Sequence, residues 1–380
     1  MGFNRLTRLT RFTPSGLGVL AGAMASFVGW QLWHYQELAV LAVLGTGVLI
    51  VALLDARRKV QLGILRRPLA HRIARGDELV VQYEFANATT RRSISATVID
   101  RFQADLEEFR IPSIPAQRRD SGQMTFQSRR RGEHPVGPAR VRRTDGFGLI
   151  NVERTVPGEV SVLVHPRIYD LSAHSGALRI ITDDATVRRR TTDPHAGFQS
   201  LRNYVDGDDP RLIHWPTTAR TGTLMVREFV EVRRPEFVVV IDTAVGSASD
   251  EDFEEVVDVG ASIAAFALGV GIGVVLRTTA RDRPGSLRPI TSAASVLDVL
   301  TPLQQSDGPD AVSIPSLFTK GLHSSVVIVT GPKGPSTTPG DMRHFRVVRI
   351  GHGAALSTPG VRSLSAENAA DFAVKWARWV

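Results

Sequence analysis

Residues 12–54 read FTPSGLGVLAGAMASFVGWQLWHYQELAVLAVLGTGVLIVALL, and a single glutamate is the only charged residue among them. A helix needs about 20 apolar residues to cross the hydrocarbon core of a bilayer. We therefore predict two transmembrane helices, at about 14–34 and 38–54, joined as a tight antiparallel hairpin. Within the first helix, Gly18 and Gly22 form a GxxxG pattern, which suits close packing inside the hairpin or against a second copy of the chain.

Basic residues flank this hairpin on both sides and are absent from its turn. They are Arg5, Arg8 and Arg11 before the first helix, and Arg57, Arg58, Lys59, Arg66 and Arg67 after the second. Short loops rich in Lys and Arg stay on the cytoplasmic side. We therefore expect a multi-pass protein of the plasma or inner membrane, with both termini and the soluble body in the cytoplasm. A cleaved secretory signal is the alternative, but a second apolar run does not normally follow such a signal at once.

The composition excludes several classes of site. The 380 residues contain no cysteine, which rules out a disulfide scaffold, a thiol nucleophile, a zinc knuckle and an iron–sulfur cluster. Lys and Arg exceed Asp and Glu by eight (46 against 38). This excess is spread along the chain and part of it belongs to the membrane flanks, so we expect no nucleic-acid binding.

The pattern predicts a multidomain chain with distinct modules after the amino-terminal tail and hairpin (1–59). Residues 60–166 contain short runs of β-forming residues separated by turn signals, which predicts a small β-sandwich-like module. Residues 235–380 alternate short apolar strands with amphipathic helices, which predicts a mainly parallel sheet in an α/β domain. A linker and the least ordinary segment of the chain occupy 167–234.

That segment, 201–231, reads LRNYVDGDDPRLIHWPTTARTGTLMVREFVE. Its acidic and basic side chains lie close together in sequence, and this density suggests internal Asp–Arg pairing that would orient the guanidinium groups. Two interpretations remain open. The segment is either a ligand or partner site, or a polar connection that fixes one domain to the next.

The segment resembles the signature of the bacterial family called domain of unknown function 58. That signature is a Y-x-x-G-D-[DP]-x-R-x-[IL]-[DH]-W core followed by an A-R-T-G-x-L-x-V-[RK] run. Residues 129–150 also resemble an upstream segment of the family, with Gly146 where proline is usual. The matching signature residues are Tyr204, Gly207, Asp208, Asp209, Pro210, Arg211, Ile213, His214, Trp215, Ala219, Arg220, Thr221, Gly222, Leu224, Val226 and Arg227.

The resemblance implies two transmembrane helices, a β-rich region and a carboxy-terminal domain like the von Willebrand factor A domain, which is of Rossmann type. It also implies two kinds of protein partner besides the bilayer: an AAA+ ATPase of the MoxR type and a transglutaminase-like membrane protein. The residues that it marks as interaction or structural candidates are Tyr204, Gly207, Asp208, Asp209, Pro210, Arg211, His214, Trp215, Arg220, Thr221, Gly222 and Arg227.

A von Willebrand factor A domain often carries a metal site, and its chemistry can be checked against the sequence. The site uses Asp-x-Ser-x-Ser after the first strand, because a hard cation prefers several oxygen ligands. Asp242 stands at the first position, but alanine and glycine replace both serines. With Thr330 as the one further candidate, the ligands are too few unless Asp250, Glu251 or a partner contributes. We therefore expect a degenerate site, no bound metal and no cofactor.

These observations favour a non-enzymatic, membrane-anchored scaffold or adaptor that faces the cytoplasm and binds a protein partner in a cell-envelope or stress-related system. The alternative is a hydrolase of an envelope precursor, which would use as acid–base groups Asp206, Asp208, Asp209 and His214. Geometry separates the two. An open cleft that gathers these groups supports the hydrolase, whereas carboxylates engaged by arginines argue against it.

Overall fold

The computed structural model describes residues 8–57, 62–172, 188–191, 197–232, 237–279, 290–306, 325–334, 345–353 and 362–379. The chain divides into two compact units, Met1–His165 and Pro166–Val380. The hairpin and the β-rich residues belong to the first unit. The 201–231 segment and a parallel sheet belong to the second.

Two long apolar helices, α1 (Pro14–Trp33) and α2 (Gln36–Ala56), begin the first unit. The backbone N–H of Gly16 donates to the side chain of Thr13 and so caps the start of α1. Both helices are long and apolar enough to cross a membrane, and only 17% and 11% of their apolar windows are buried within the protein. The prediction of two apolar helices is confirmed, and such exposure suits contact with lipid better than a place in a soluble core.

Small residues set the contact between these helices, but they are not the residues of the GxxxG pattern. A Cβ atom on Gly45 would lie 2.9 Å from the Cβ of Ala23, so the helices approach closely there. A Cβ atom on Gly18 or Gly22 would meet nothing within 4 Å. The predicted role of these two glycines in packing the hairpin is therefore wrong. Their pairing with a second copy of the chain stays a prediction.

The start of α1 is attached to the β-rich part of the unit. Strand β1 (Arg8–Phe12) pairs antiparallel with a later strand, Ile150–Val156, although the sequence predicted only a tail there. The hydroxyl of Thr13 donates to the carbonyl oxygen of Gly148 at 2.7 Å. The entrance to the hairpin is therefore held by a strand and by a cap.

The end of α2 is attached to the same part. The guanidinium of Arg143, which is buried, donates to the backbone carbonyl of Asp55 at 2.8 Å and pairs with its carboxylate. An apolar cluster lies nearby and contains Ala52, Ala56, Leu149 and Ile150. Both ends of the hairpin are thus fixed to one side of the β-rich part.

A first prediction follows from this attachment. Gly16→Ala would place a Cβ atom 2.1 Å from the carbonyl oxygen of Leu149, and relieving such a clash costs about 1–3 kcal/mol. We expect faster amide exchange at Thr13, whose N–H donates to that carbonyl. Gly18→Ala is the matched control, because it adds the same methyl group to the same helix in open space. Equal exchange at Thr13 in both variants would contradict the attachment.

Two sheets form the rest of the first unit. Their strands besides β1 are β2 (Gly63–Pro68), β3 (Arg72–Ala74), β4 (Glu78–Ala86), β5 (Ala96–Phe102), β6 (Asp105–Ile111), β7 (Arg119–Gln127), β8 (Gly132–Val136), β9 (Ala139–Thr144), β10 (Ile150–Val156) and β11 (Val160–His165). An eight-stranded sheet has the order β1-β10-β9-β5-β8-β11-β3, with β6 paired to β5, and a three-stranded sheet has the order β2-β4-β7. Both sheets contribute to one buried apolar cluster, so they pack face to face as a sandwich.

A buried ion pair lies inside this sandwich. Arg66 Nε donates to Asp100 Oδ2 at 2.6 Å, and the two side chains are 3% and 0% exposed. The hydroxyl of Tyr83 donates to the same carboxylate oxygen at 2.9 Å. Burial, followed by the charge of Asp100, raises the pKa of Tyr83, so its phenol stays protonated and remains a donor.

The second unit contains a five-stranded parallel sheet, as the apolar strands predicted. The strands of this unit are β12 (Arg188–Thr191), β13 (Gly197–Asn203), β14 (Met225–Val232), β15 (Phe237–Ile241), β16 (Val274–Thr278), β17 (Ser325–Thr330), β18 (Phe345–Ile350) and β19 (Arg362–Ala366). The parallel sheet has the order β16-β15-β17-β18-β19, and each neighbouring pair runs parallel. A three-stranded antiparallel sheet, β12-β14-β13, precedes it in sequence.

Four helices are described in this unit. The short helix α3 (Trp215–Thr221) lies between β13 and β14. The other three, α4 (Asp250–Gly269), α5 (Ala293–Leu300) and α6 (Ala369–Trp376), contribute to one large apolar cluster on the parallel sheet. The strands β15 and β17 are buried along their whole length, which is typical of the central strands of a parallel sheet.

Candidate functional site

The signature segment forms the connection between β13 and β14. A single 3-10 turn, Pro210–Leu212, precedes α3. The backbone of this connection is bonded back to β14, because the N–H of His214 donates to the carbonyl of Met225 at 2.7 Å. Below it lies a small apolar cluster that contains Leu212 and Val226. The segment is therefore a compact folded unit and not an extended linker.

Among the three aspartates of the segment, Asp208 accepts the largest number of hydrogen bonds from the described residues. Both of its carboxylate oxygens accept from the guanidinium of Arg202 at 2.6 Å, and one accepts from the N–H of Val205 at 2.9 Å. These bonds, that of Arg202 first, lower the pKa of Asp208 to about 2. The predicted Asp–Arg pairing therefore exists, but its arginine is not one of the predicted candidates. An acid that ionises at so low a pH is a poor proton donor near neutrality.

The neighbouring signature residues shape the turn. Asp209 Oδ1 accepts from the N–H of Arg211 at 2.9 Å and so begins the 3-10 turn, with Pro210 in its first position. Gly207 has a φ of +105°, which favours glycine strongly. The hydroxyl of Tyr204 donates to the carbonyl of Asp208 at 3.3 Å. These residues have structural roles in the loop.

His214 and the threonines organise the second half of the segment. His214 Nδ1 lies 2.8 Å from Thr217 Oγ1. Thr221 donates to the carbonyl of Thr217 at 2.9 Å, and Gly222 ends α3 with a φ of 73°. Within the described residues, no hydrogen bond joins His214 to a carboxylate of the segment. Asp208 and His214, two of the four groups that a hydrolase would use, are therefore each bonded to another partner, and Asp206 is exposed.

Several other residues of the segment lie on the surface. Trp215 is 63% exposed, Val205 is 62% exposed and Leu224 is 44% exposed. Three arginines of the segment are also exposed, and their side chains have no hydrogen-bond or ion-pair partner in the part of the chain that the structure describes: Arg211, Arg220 and Arg227. We call these six residues the signature surface. Its members are three apolar side chains and three positively charged ones.

Asp242 lies at the carboxyl end of β15, where the degenerate metal site was predicted. Its side chain belongs to a buried hydroxyl network. Thr330 Oγ1 donates to Asp242 Oδ2 at 2.6 Å, Thr279 Oγ1 donates to Asp242 Oδ1 at 3.1 Å, and the N–H of Ala244 donates to the same Oδ1 at 3.1 Å. The carboxylate is thus occupied by donors on both oxygens.

A positive side chain lies close to this network. Arg349, at the end of β18, is 4% exposed and donates to the carbonyl of Gly334 at 3.0 Å. Burial lowers the pKa of Arg349, and the nearby charge of Asp242 opposes that change. Arginine cannot lose its proton under ordinary conditions. A fixed cation of the protein therefore lies near enough to the carboxylate of Asp242 to interact with its charge.

The described residues contain no group of three or more His, Asp or Glu side chains that could hold a metal ion. In the network, the hydroxyl protons of Thr279 and Thr330 point to the carboxylate. A cation bound there would compete with these donors for the lone pairs of the carboxylate. The possible additional ligands, Asp250 and Glu251, lie in the first turn of α4.

Sequence reasoning missed Arg202, Thr279 and Arg349. Arg202 lies six residues before Asp208, within the quoted segment, but nothing in the pattern distinguishes it from the other arginines. Thr279 follows the strand next to β15, and its position at a strand end was an available signal. Arg349 was not identifiable, because its role depends on which strand lies beside β17.

Comparison with known proteins places the segment in a family. Residues 200–314 match the family model described as "Protein of unknown function DUF58". A protein of Bacillus subtilis (strain 168), described as "Uncharacterized protein YeaD", is 30% identical over 154 residues. That match covers 40% of this chain and 37% of the relative, so the chain spans well under half of the length of that protein.

Solved structures give only weak likenesses. A CARDB domain from Pyrococcus furiosus, solved in complex with di-metal ions, has a TM-score of 0.21 at 8% identity and covers 27% of this chain and 92% of its own. The alkylpurine DNA glycosylase AlkC of Pseudomonas fluorescens has a TM-score of 0.22 at 13% identity and covers 36% of this chain and 40% of its own. Scores of this size carry no argument about fold or function. The signature segment, the family match and the Bacillus relative together identify residues 200–314 as a DUF58 family domain.

Proposed function

We propose that the chain is a membrane-anchored adaptor that binds a protein partner through the signature surface. The observation that carries this proposal is the exposure of Trp215 in a segment that also exposes three arginines with no side-chain partner in the described part of the chain. Trp and Arg are the residues that most often dominate the energy of protein interfaces. A large exposed aromatic side chain on a folded segment commonly marks a binding surface.

The signature surface rests on a well-bonded support. The Arg202–Asp208 pair fixes the loop that carries Val205, and the short helix α3 carries Trp215 and Arg220. A partner that binds such a preorganised surface loses less conformational entropy than one that must first order a loop. The adaptor is preferred to the hydrolase alternative because the carboxylate of Asp208 and the ring of His214 already have partners within the segment.

The position of the chain in the cell forms part of the same proposal. The two apolar helices would anchor it as a multi-pass protein of the plasma or inner membrane. The basic flanks would keep both termini and the soluble body in the cytoplasm. The second unit is proposed to be von Willebrand factor A-like, which is supported by its doubly wound strand order and by Asp242 at the end of a central strand.

The proposed partner is an AAA+ ATPase of the MoxR type in a cell-envelope system, which the family resemblance suggests; a transglutaminase-like membrane protein is the second candidate. The test is co-purification of the full-length chain from detergent with such an ATPase. For Trp215→Ala and for Arg220→Ala we expect about tenfold lower recovery of the ATPase.

The matched control is Arg378→Ala, which removes an exposed arginine of the same unit that lies outside the signature surface. It should recover the ATPase as the unaltered chain does. Equal recovery by the control and by both surface variants would remove the interface role of the signature surface.

A further inference from the structure

A polar cavity of about 470 Å³ lies in the first unit beside the last turn of α2. Its lining comes from the end of that helix and from β5, β6, β9 and the turn after β9. The polar side chains that matter for its chemistry are Asp55, Thr97, Arg110, Arg142, Arg143 and Asp145. Residues 142–146, which belong to the arginine-rich segment that resembles the family upstream of the signature, line this cavity, and the adaptor function gives them no role.

Strand register brings two of the arginines together. Thr97 on β5 is paired with Arg110 on β6 on one side and with Arg142 on β9 on the other. Residues directly opposite each other in neighbouring strands project from the same face of a sheet. Since neighbouring strands lie about 4.8 Å apart, the two arginines flank the threonine hydroxyl at a spacing that suits a phosphate-sized anion.

The acidic residues of the cavity are already engaged. Asp145 accepts from the N–H groups of Phe147, Leu149 and Ile150 at 2.5 to 2.8 Å. Asp55 accepts from Arg143. The carboxylates of Asp55 and Asp145 are therefore both bonded to other groups of the protein.

The basic residues are only partly engaged. Arg142 donates to Glu153 at 3.0 Å and lies 3.4 Å from Glu108, and it retains further N–H groups. Arg110 is exposed, and its side chain has no partner among the described residues. Among the described side chains that line this cavity, the charge without a partner is therefore that of Arg110, and a positive charge favours an anionic ligand.

The cavity lies at the level at which the helices meet the rest of the unit. Asp55, in its lining, belongs to the last turn of α2. Asp145 holds the turn that presents Phe147, which is 58% exposed, and the next residue, Gly148, accepts the bond from Thr13 at the start of α1. Aromatic side chains concentrate where a bilayer meets water, at the depth of the lipid headgroups.

We infer that this cavity binds the phosphate of an anionic phospholipid headgroup. Arg110 and Arg142 would hold the phosphate beside Thr97, and Phe147 would lie among the neighbouring acyl chains. Basic pockets beside membrane helices bind such headgroups by the same combination of charge and depth. This site is separate from the signature surface, and its occupation does not depend on a protein partner.

The test uses the full-length chain in nanodiscs of phosphatidylcholine alone or of phosphatidylcholine with phosphatidylglycerol. Lipids retained after release into detergent are counted by native mass spectrometry. We expect selective retention of phosphatidylglycerol, and about tenfold weaker retention in Arg110→Gln, because a charge-assisted hydrogen bond is lost. Arg118→Gln is the matched control, since it removes an exposed arginine of the same unit that does not line the cavity.

The arms of this experiment separate the sources of phosphate. If inorganic phosphate displaces phosphatidylglycerol from the mixed nanodiscs, or stabilises the chain in phosphatidylcholine nanodiscs as much as that lipid does, the ligand is a free phosphate and the lipid inference is wrong. Equal retention by Arg110→Gln and Arg118→Gln also overturns it. Amide protection in β5 checks that each variant is folded. Recovery of the ATPase should be the same in both variants, so a failure here leaves the adaptor proposal untouched.

Discussion

Asp100→Ala is expected to lower the free energy of unfolding of the first unit by about 3–5 kcal/mol. The substitution would leave the guanidinium of Arg66 inside the sandwich without its carboxylate, and the hydroxyl of Tyr83 without its acceptor. A buried charge that loses its partner keeps the full cost of its desolvation. Because whole domains are stable by only about 5–15 kcal/mol, this single change should bring the unit close to unfolding.

The measurement is hydrogen exchange of the full-length chain in detergent, followed at the amides of β4 and β5. Protection should fall by about 10²- to 10⁴-fold. Glu84→Ala is the matched control, since Glu84 is a strand carboxylate of the same unit that pairs with Arg119, a side chain 74% exposed. A surface pair of this kind contributes less than about 1 kcal/mol. Similar losses of protection in the two variants would contradict the claim that the buried Arg66–Asp100 pair contributes more to the free energy of unfolding than the surface pair does.

Asp242→Ala should have a comparable effect on the second unit, about 3–5 kcal/mol. It removes the acceptor of two buried threonine hydroxyls and the negative charge near Arg349. Trp376 is fully buried in the core of this unit, so its fluorescence reports unfolding of the sheet in urea. The control is Glu251→Ala, which removes an exposed carboxylate from the first turn of α4 and should cost at most about 1 kcal/mol.

The same experiment examines the degenerate metal site. Addition of Mg²⁺ or Mn²⁺ should leave the urea midpoint of the unaltered chain unchanged, because a ligand that binds only the folded state would raise it. A midpoint that rises with the cation in the unaltered chain, but not in Asp242→Ala, would demonstrate a metal site at Asp242. In that case the hydroxyl network would have to rearrange to release lone pairs to the ion.

Features that depend on local pattern were predictable from the sequence. The two apolar helices of the hairpin were predictable, because runs of uncharged apolar residues of this length have few stable environments other than a bilayer. The parallel sheet was also predictable, since strands such as Phe237–Ile241 are apolar on both faces. Strand β1 was not. Its sequence, RLTRF, is short and rich in arginine, and such a stretch also suits the basic flank of a membrane helix.

Features that depend on which distant residues meet were not predictable. Asp242 and Thr330 lie 88 residues apart, and their contact follows from the parallel pairing of β15 with β17. The candidate residues of the signature were identified, but their roles were not. The pattern could not show that the carboxylate of Asp208 forms an ion pair with Arg202, whereas Arg211 and Arg220 remain exposed.

The double attachment of the hairpin has a consequence for motion. A domain joined to a membrane helix by one flexible crossing swivels about that crossing, and its faces sample all directions. Here the chain enters the helices through a paired strand and a capped Thr13, and it leaves them through Asp55 bound to Arg143. Two anchoring points fix an axis of rotation. On the proposal that the hairpin spans the membrane, the sandwich of the first unit inherits its orientation from the bilayer, and the same face of the sandwich points towards the lipid.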